Sequence, residues 1–178
     1  SIEIRKAGFY PIGGGEIRAT VEPVKSLLAP GELSRGELKE VICTSLVSRL
    51  PLSVGQRQMQ VMAASLQSIG KTGRQDVLEL PSSGPGTCAF ALARCEPTAP
   101  KSPTPQGHGD REATKAEGSL AGFSSLGKRG KPAEQVGAEA AEGLKAFLAS
   151  GAALDYHLAD QLLLWLVLAK GAFRAQVE

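Results

Sequence analysis

DYHLADQLLLWLVLAK, residues 155–170, joins a long apolar helix to three polar side chains on one stripe. His157, Asp160 and Gln161 stand at i, i+3 and i+4, so they share a helix face within one turn. Beyond them nearly every residue is apolar, from Leu162 through Trp165 to Ala169. A helix that is apolar all round calls for enclosure by protein, which would set its polar groups where a buried helix meets a cleft. At roughly 1.5 to 3 kcal/mol per fully buried large apolar side chain, the segment needs a substantial partner surface. An Asp in the first turns also suits the helix dipole, so spacing alone leaves a purely structural role for the trio open.

The sequence upstream of this helix supplies candidate partners. Pro132 opens a helix that runs to about Ser150 and stops at Gly151, with Val136, Ala140, Leu144, Phe147 and Leu148 as its inner stripe. Before it, 120–126 reads as a strand, and the turn GKRGKP (127–132) carries Lys128, Arg129 and Lys131. These three cations suit a solvated turn at least as well as the phosphates of a polyanion. Residues 96–118 hold four prolines and almost no large apolar side chain, which predicts a flexible surface loop. His108 falls inside it between two glycines, without the rigid support that a catalytic or metal site needs.

Further back, 76–80 and 87–94 read as strands joined by PSSGPG, with Cys88, Phe90 and Leu92 on one face of the second. Residues 53–70 predict a helix, with Ser53 and Gln56 as a capping box, Gly70 as its left-handed terminus, and Met59, Met62, Ala63, Leu66 and Ile69 inward. The methionines on that stripe read as core filler. Residues 38–47 form a β-branched strand stopped by Pro51, and 23–35 is a proline-bearing crossing segment. At the start, 2–7 and 16–22 alternate apolar and charged residues, predicting a half-buried hairpin around GFYPIGGG (8–15). The glycine run precedes a strand, whereas phosphate loops of the known kinds open a helix, so it reads as a turn. After Lys170 a last strand begins within 172–178 and is cut short by the end of the chain.

Composition narrows the class. The 178 residues are 42% hydrophobic but only 4% aromatic, with 21 glycines and 11 prolines, a globular chain with many turns. A net charge of +2, from 20 basic against 18 acidic residues, means that any polyanion site is local. Cys43, Cys88 and Cys95 are odd in number and lack CxxC spacing, against both a disulfide framework and a zinc site and in favour of a reducing compartment. No signal peptide is visible, and the apolar run 162–169 is far short of the roughly 20 residues of a membrane span. These features predict a protein off the membrane, cytoplasmic, or nuclear if eukaryotic; the oligomeric state is not legible.

Four stretches in order, GFYPIGGGE (8–16), the GPG turn (84–86), FSSLGKRGKPAEQVG (123–137) and SGAALDYHLADQLLLWLVLA (150–169), resemble the RNA 3'-terminal phosphate cyclase family over nearly the whole chain. The proline-rich stretch departs from the pattern as an enlarged loop. The resemblance implies an α/β (α+β) fold of repeated βαβ-type pieces related in architecture to enolpyruvyl transferases. Residues 1–34 and 153–178 would belong to the catalytic domain, and 35–152 would be a small inserted α/β domain. It also implies ATP-dependent conversion of an RNA 3'-terminal phosphate to a 2',3'-cyclic phosphate, by way of a covalent histidine-AMP and an RNA-adenylate, with a divalent metal, Mg or Mn.

By the same resemblance His157 is not the nucleophile. That histidine belongs to a His-x-x-Thr-Asn motif expected beyond Glu178, so this chain alone is expected to be inactive. His157 matches a position where family members carry Tyr or His, suited to packing on adenine. Asp160 and Gln161 match an Asp-Gln pair lining the nucleotide site on its phosphate or metal side. The alternatives are a non-catalytic cyclase-like scaffold in ribosomal RNA processing, and an enolpyruvyl-transferase-like enzyme. The latter would demand several inward Lys and Arg residues that the sequence does not supply.

Overall fold

A computed structural model of the chain describes residues 1–29, 31–97 and 118–178. The expected loop 96–118, with His108, lies almost entirely outside the described residues. The fold is mixed α/β. The described residues form two compact units, one of Ser1–Glu22, Glu40–Ala93 and Ala121–Lys145, the other of Pro23–Lys39, Arg94–Leu120 and Ala146–Glu178.

The first unit opens on an antiparallel hairpin of β1 (Ile2–Lys6) and β2 (Glu16–Ala19), whose register shifts between Ile4 and Lys6. The expectation of a half-buried hairpin is corrected: Ile2, Ile4 and Ile17 are 77%, 70% and 67% exposed. The alternation is real, but among the described residues nothing covers its apolar face.

The core of this unit is a four-stranded sheet. Its members are β4 (Leu38–Ser48), β5 (Thr72–Glu79), β6 (Gly86–Cys95) and β7 (Leu120–Leu126), in the order β5-β4-β6-β7. β4 and β5 are parallel, and the crossover between them is helix α1 (Leu52–Leu66) with a 3-10 turn at Gln67–Ile69. α1 begins one residue before Ser53, so Pro51 occupies the cap position and no side chain caps it; the predicted capping box is not formed. Gly70 closes the end at φ 71°, in the left-handed region as expected. On β6 the buried face belongs to Ala89, Ala91 and Ala93, each 0% exposed, and not to Cys88, Phe90 and Leu92. Short side chains let the helices come down close on the sheet.

How close is shown at two glycines. A Cβ on Gly55 of α1 would press on Val77 Cγ1 at 2.8 Å and Val47 Cγ1 at 3.0 Å. On Gly137 of α2 (Ala133–Ser150) it would overlap the Gln58 carbonyl oxygen, so the two helix backbones touch there. Gln58 is itself fully buried: its carboxamide meets Ser45 Oγ at 2.7 Å and Thr87 Oγ1 at 3.0 Å. Thr87 Oγ1 also lies 2.6 Å from the Leu46 carbonyl and has one proton to give, and a carbonyl can only accept it. The Gln58 amide oxygen accepts from Ser45, Thr87 divides its one proton between that oxygen and the Leu46 carbonyl, and the buried Gln58 Nε2 has no partner among the described residues.

The second unit contains a short parallel pair missed in the crossing segment, β3 (Gly31–Leu33) with β8 (Phe173–Ala175). Arg35 follows β3 and binds the C-terminal end of α2, Nη1 donating to the Phe147 carbonyl at 2.9 Å and Nη2 to Leu148 at 3.1 Å. The guanidinium also sits 5.3 Å from the Phe147 ring centroid, so one cation serves a helix dipole and an aromatic face.

Helix α3 spans Tyr156–Leu168. Its apolar run calls for a partner surface that the chain either supplies or lacks, and none of its residues is buried: Leu164, Trp165 and Val167 are 66%, 56% and 82% exposed. Only a stripe through Ala159, Leu162, Leu166 and Ala169 is partly covered. Among the described residues, no helix is long and apolar enough to cross a membrane.

Helix propensity alone says that Gly137→Ala gains up to about 1 kcal/mol. The backbone overlap with Gln58 opposes this, and overpacking costs about 1–3 kcal/mol with no flexible side chain to yield. Urea unfolding should show a net loss of stability; an unchanged or raised midpoint would deny the close approach. At α3, an L164K/V167K double variant should lower self-association in sedimentation while changing unfolding stability by no more than about 0.5 kcal/mol per site, because neither side chain is packed.

Candidate functional site

Asp155 fixes the start of α3. Its Oδ1 accepts from the amides of His157 at 3.0 Å and Leu158 at 3.1 Å, an N-cap that satisfies two otherwise orphaned donors. Counting 100° per residue from there, the covered stripe of Ala159, Leu162 and Leu166 lies on one side. His157, Asp160 and Gln161 lie on the opposite side, in line with Leu164 and Leu168. The structure thus brings the predicted trio together on one face, and that face is open.

All three side chains are exposed. The His157 ring lies 3.9 Å from the Tyr156 ring, tilted by 34°, so one aromatic flank is already partnered. The trio is not among the residues lining a cleft found in the same unit. That cleft, about 380 Å³, is walled by Ser34, Arg35, Arg174 and Gln176 at the carboxyl ends of β3 and β8.

The three cations of the 127–132 turn separate. Lys128 and Arg129 are exposed at Gly130, whose φ of 83° turns the chain. Lys131 is folded inward: its ammonium donates to Ser125 Oγ at 2.9 Å, to the Leu126 carbonyl at 3.3 Å and, more tightly, to Glu139 Oε2. Glu139 also accepts from Ser125 at 2.7 Å and Gln135 at 2.9 Å. The Lys131 hydrogen bond, with those of Ser125 and Gln135 and the ammonium charge, holds the Glu139 carboxyl down at about 2.

Burial pushes the thiols of Cys43 and Cys88 up, which keeps them protonated and unreactive. Among the described residues no three His, Cys, Asp or Glu side chains gather as a metal-binding group.

Sequence reasoning missed a second cluster, in the first unit. The GFYPIGGG loop folds against PSSGPG, with the Ala7 amide donating to the Pro81 carbonyl at 3.3 Å and Lys6 Nζ to Ser83 Oγ at 2.7 Å. Arg49 Nη1 reaches the carbonyl of the same Ser83 at 3.1 Å. Gly13 and Gly14 have φ of 66° and 73°, and the Tyr10–Pro11 peptide is cis.

Against known proteins, the family model described as RNA 3'-terminal phosphate cyclase matches residues 1–178. Proteins of that name are similar to the chain at 33% identity in Pyrobaculum neutrophilum, covering 98% of this chain and 45% of that protein. In Methanopyrus kandleri the identity is 36%, over 96% of this chain and 44% of the relative. In Salmonella agona it is 33%, over 94% and 42%. The chain thus spans less than half the length of these relatives.

The Lys131 and Glu139 pair gives a pH prediction. With its folded value depressed below the ordinary 4.5, Glu139 adds stability that is complete above pH 4.5 and is lost as pH falls towards 2. Lys131→Met should return the Glu139 titration, followed by carboxyl NMR, towards its ordinary value; a titration that stays near 2 would assign the shift elsewhere.

Proposed function

The chain belongs to the RNA 3'-terminal phosphate cyclase family, and on that premise we propose that it contributes to an ATP-dependent ligase that turns an RNA 3'-terminal phosphate into a 2',3'-cyclic phosphate. The observation that carries this reading is the open face of α3, where His157, Asp160 and Gln161 converge within one turn. An imidazole, a carboxylate and a carboxamide suit a nucleoside: a ring to lie on the base, an acceptor for ribose hydroxyls and an amide that both donates and accepts. ATP, when bound, supplies the adenylyl group that activates the RNA phosphate for attack by the neighbouring 2'-hydroxyl.

Charge assigns the places within the trio. A carboxylate cannot lie beside a triphosphate without a cation between them, so Asp160 stands either on the sugar side or against a phosphate-bound Mg or Mn ion. His157, with Tyr156 on one flank, orients the base and is not the nucleophile. Residues 1–34 and 153–178 are proposed as pieces of the catalytic domain and 35–152 as the insert. Lys128 and Arg129 are free to meet RNA, whereas Lys131 first has to leave Glu139. The proposed place of action is cytoplasmic, or nuclear in a eukaryote.

Two measurements test the reading. Incubated with labelled ATP, the 178-residue chain should form no stable AMP adduct on His157. In the enzyme with all family elements, His157→Ala should weaken ATP use by about 10-fold, the equivalent of about 1.4 kcal/mol of lost base contact, and leave adduct formation detectable. Complete loss of the adduct in a folded variant would make His157 the nucleophile.

A further inference from the structure

The geometry points to a phosphate-binding site in the first unit, formed by Lys6, Arg49 and Ser83 under the glycine loop 13–15, that takes the backbone of single-stranded RNA. Two cations converge on one neutral residue, Lys6 at the Ser83 hydroxyl and Arg49 at its carbonyl. Several other cations of this unit are neutralised locally: Arg5 lies by Glu3 and Glu16, Arg57 by Glu134, Arg74 by Asp76 and Lys131 by Glu139. Lys6 and Arg49 meet no carboxylate among the described residues, so an anion placed between them gains from both charges.

The backbone is spent on making this arrangement. The irregularity in β1 falls between Ile4 and Lys6, and such a bulge turns the following side chain out of the alternation, here towards the 81–86 turn. Arg49 is the one non-glycine among the described residues with positive φ, at 50°, a conformation disfavoured for a long side chain. Gly14 passes so near Ser83 that a Cβ would stand 3.0 Å from its hydroxyl, and Ile12 packs over Gly84, where a Cβ would come within 2.8 Å. These contacts leave the loop backbone bare of side chains beside Ser83. Of the consecutive left-handed glycines, Gly13 donates its amide to the Phe9 carbonyl at 2.8 Å and so fixes the turn, and Gly14 lets the backbone pass beside Ser83 with no side chain between. The glycine run therefore makes room for an anion without opening a helix. The charge comes from two side-chain cations drawn from β1 and from the end of β4.

The choice of RNA as the source of the phosphate rests on the proposed function, so the test reads binding without turnover. A fluorescein-labelled single-stranded RNA of about ten nucleotides with a 3'-hydroxyl is titrated by anisotropy with the 178-residue chain, without ATP, over a range of salt. Lys6→Gln and Arg49→Gln should each weaken binding by about 5- to 10-fold at about 50 mM salt and reduce the salt slope by about 0.7. Lys6→Arg should retain it, and Arg74→Gln, whose charge is paired with Asp76, should match the parent. Parent-like affinity and slope in folded Lys6→Gln and Arg49→Gln would overturn the site. So would a loss confined to inorganic phosphate or ATP with RNA unaffected. RNA binding through Lys6 and Arg49 by an enzyme that never converts a 3'-phosphate keeps the site and defeats the cyclase reading; conversion with unaltered binding does the reverse.

Discussion

Four elements of the first unit meet at Gln58. Its side chain, on α1, reaches Ser45 of β4 and Thr87 of β6, and its main-chain carbonyl meets α2 where Gly137 carries no side chain. A buried carboxamide that bridges two hydroxyls fixes geometry more narrowly than an aliphatic residue of the same size, and here it does so with its Nε2 left unpartnered among the described residues. Only one register of α1 over the sheet places that amide between the two hydroxyls. The small residues around it, Gly55 and the alanines of β6, follow from the same demand, because a helix bearing a bridging amide must lie close to the strands it bridges.

The two exposed apolar surfaces are of another kind. The β1–β2 hairpin and the outer face of α3 keep large side chains in water, so their shape does not come from burial. In the hairpin it comes from backbone pairing and the left-handed glycines of the loop. In α3 it comes from the Asp155 cap and a run of leucines with good helix propensity. Such elements hold their form locally, and their polar groups are accessible from the start. The nucleotide reading of His157, Asp160 and Gln161 draws on that access.

Much of the fold was legible where the signal is local. Strand 120–126, the helix closed by Gly151 and the left-handed end at Gly70 follow from alternation and from glycine's freedom at positive φ. What could not be read depends on distant partners. The pair β3 and β8 joins residues more than a hundred positions apart, and three-residue strands carry no periodicity of their own. Apolar periodicity shows that a face seeks cover and not whether the chain supplies it, so a covered and an open α3 were both compatible with the sequence. For the site, the spacing of His157, Asp160 and Gln161 was enough to place them on one face. Lys6 and Arg49 gave no signal, since a β-bulge and a left-handed arginine are properties of the folded backbone and leave no motif behind.

Arg49 sets stability against use at one position. Holding a long side chain at φ 50° costs of order 1 kcal/mol or more, and glycine or asparagine would take that backbone with little strain. Screens that reward only thermal tolerance should drift towards those residues there, trading away a cation for a more relaxed strand end. In a large set of natural sequences, arginine persisting at so unfavourable a backbone position would be a sign that selection values the charge above the fold's comfort.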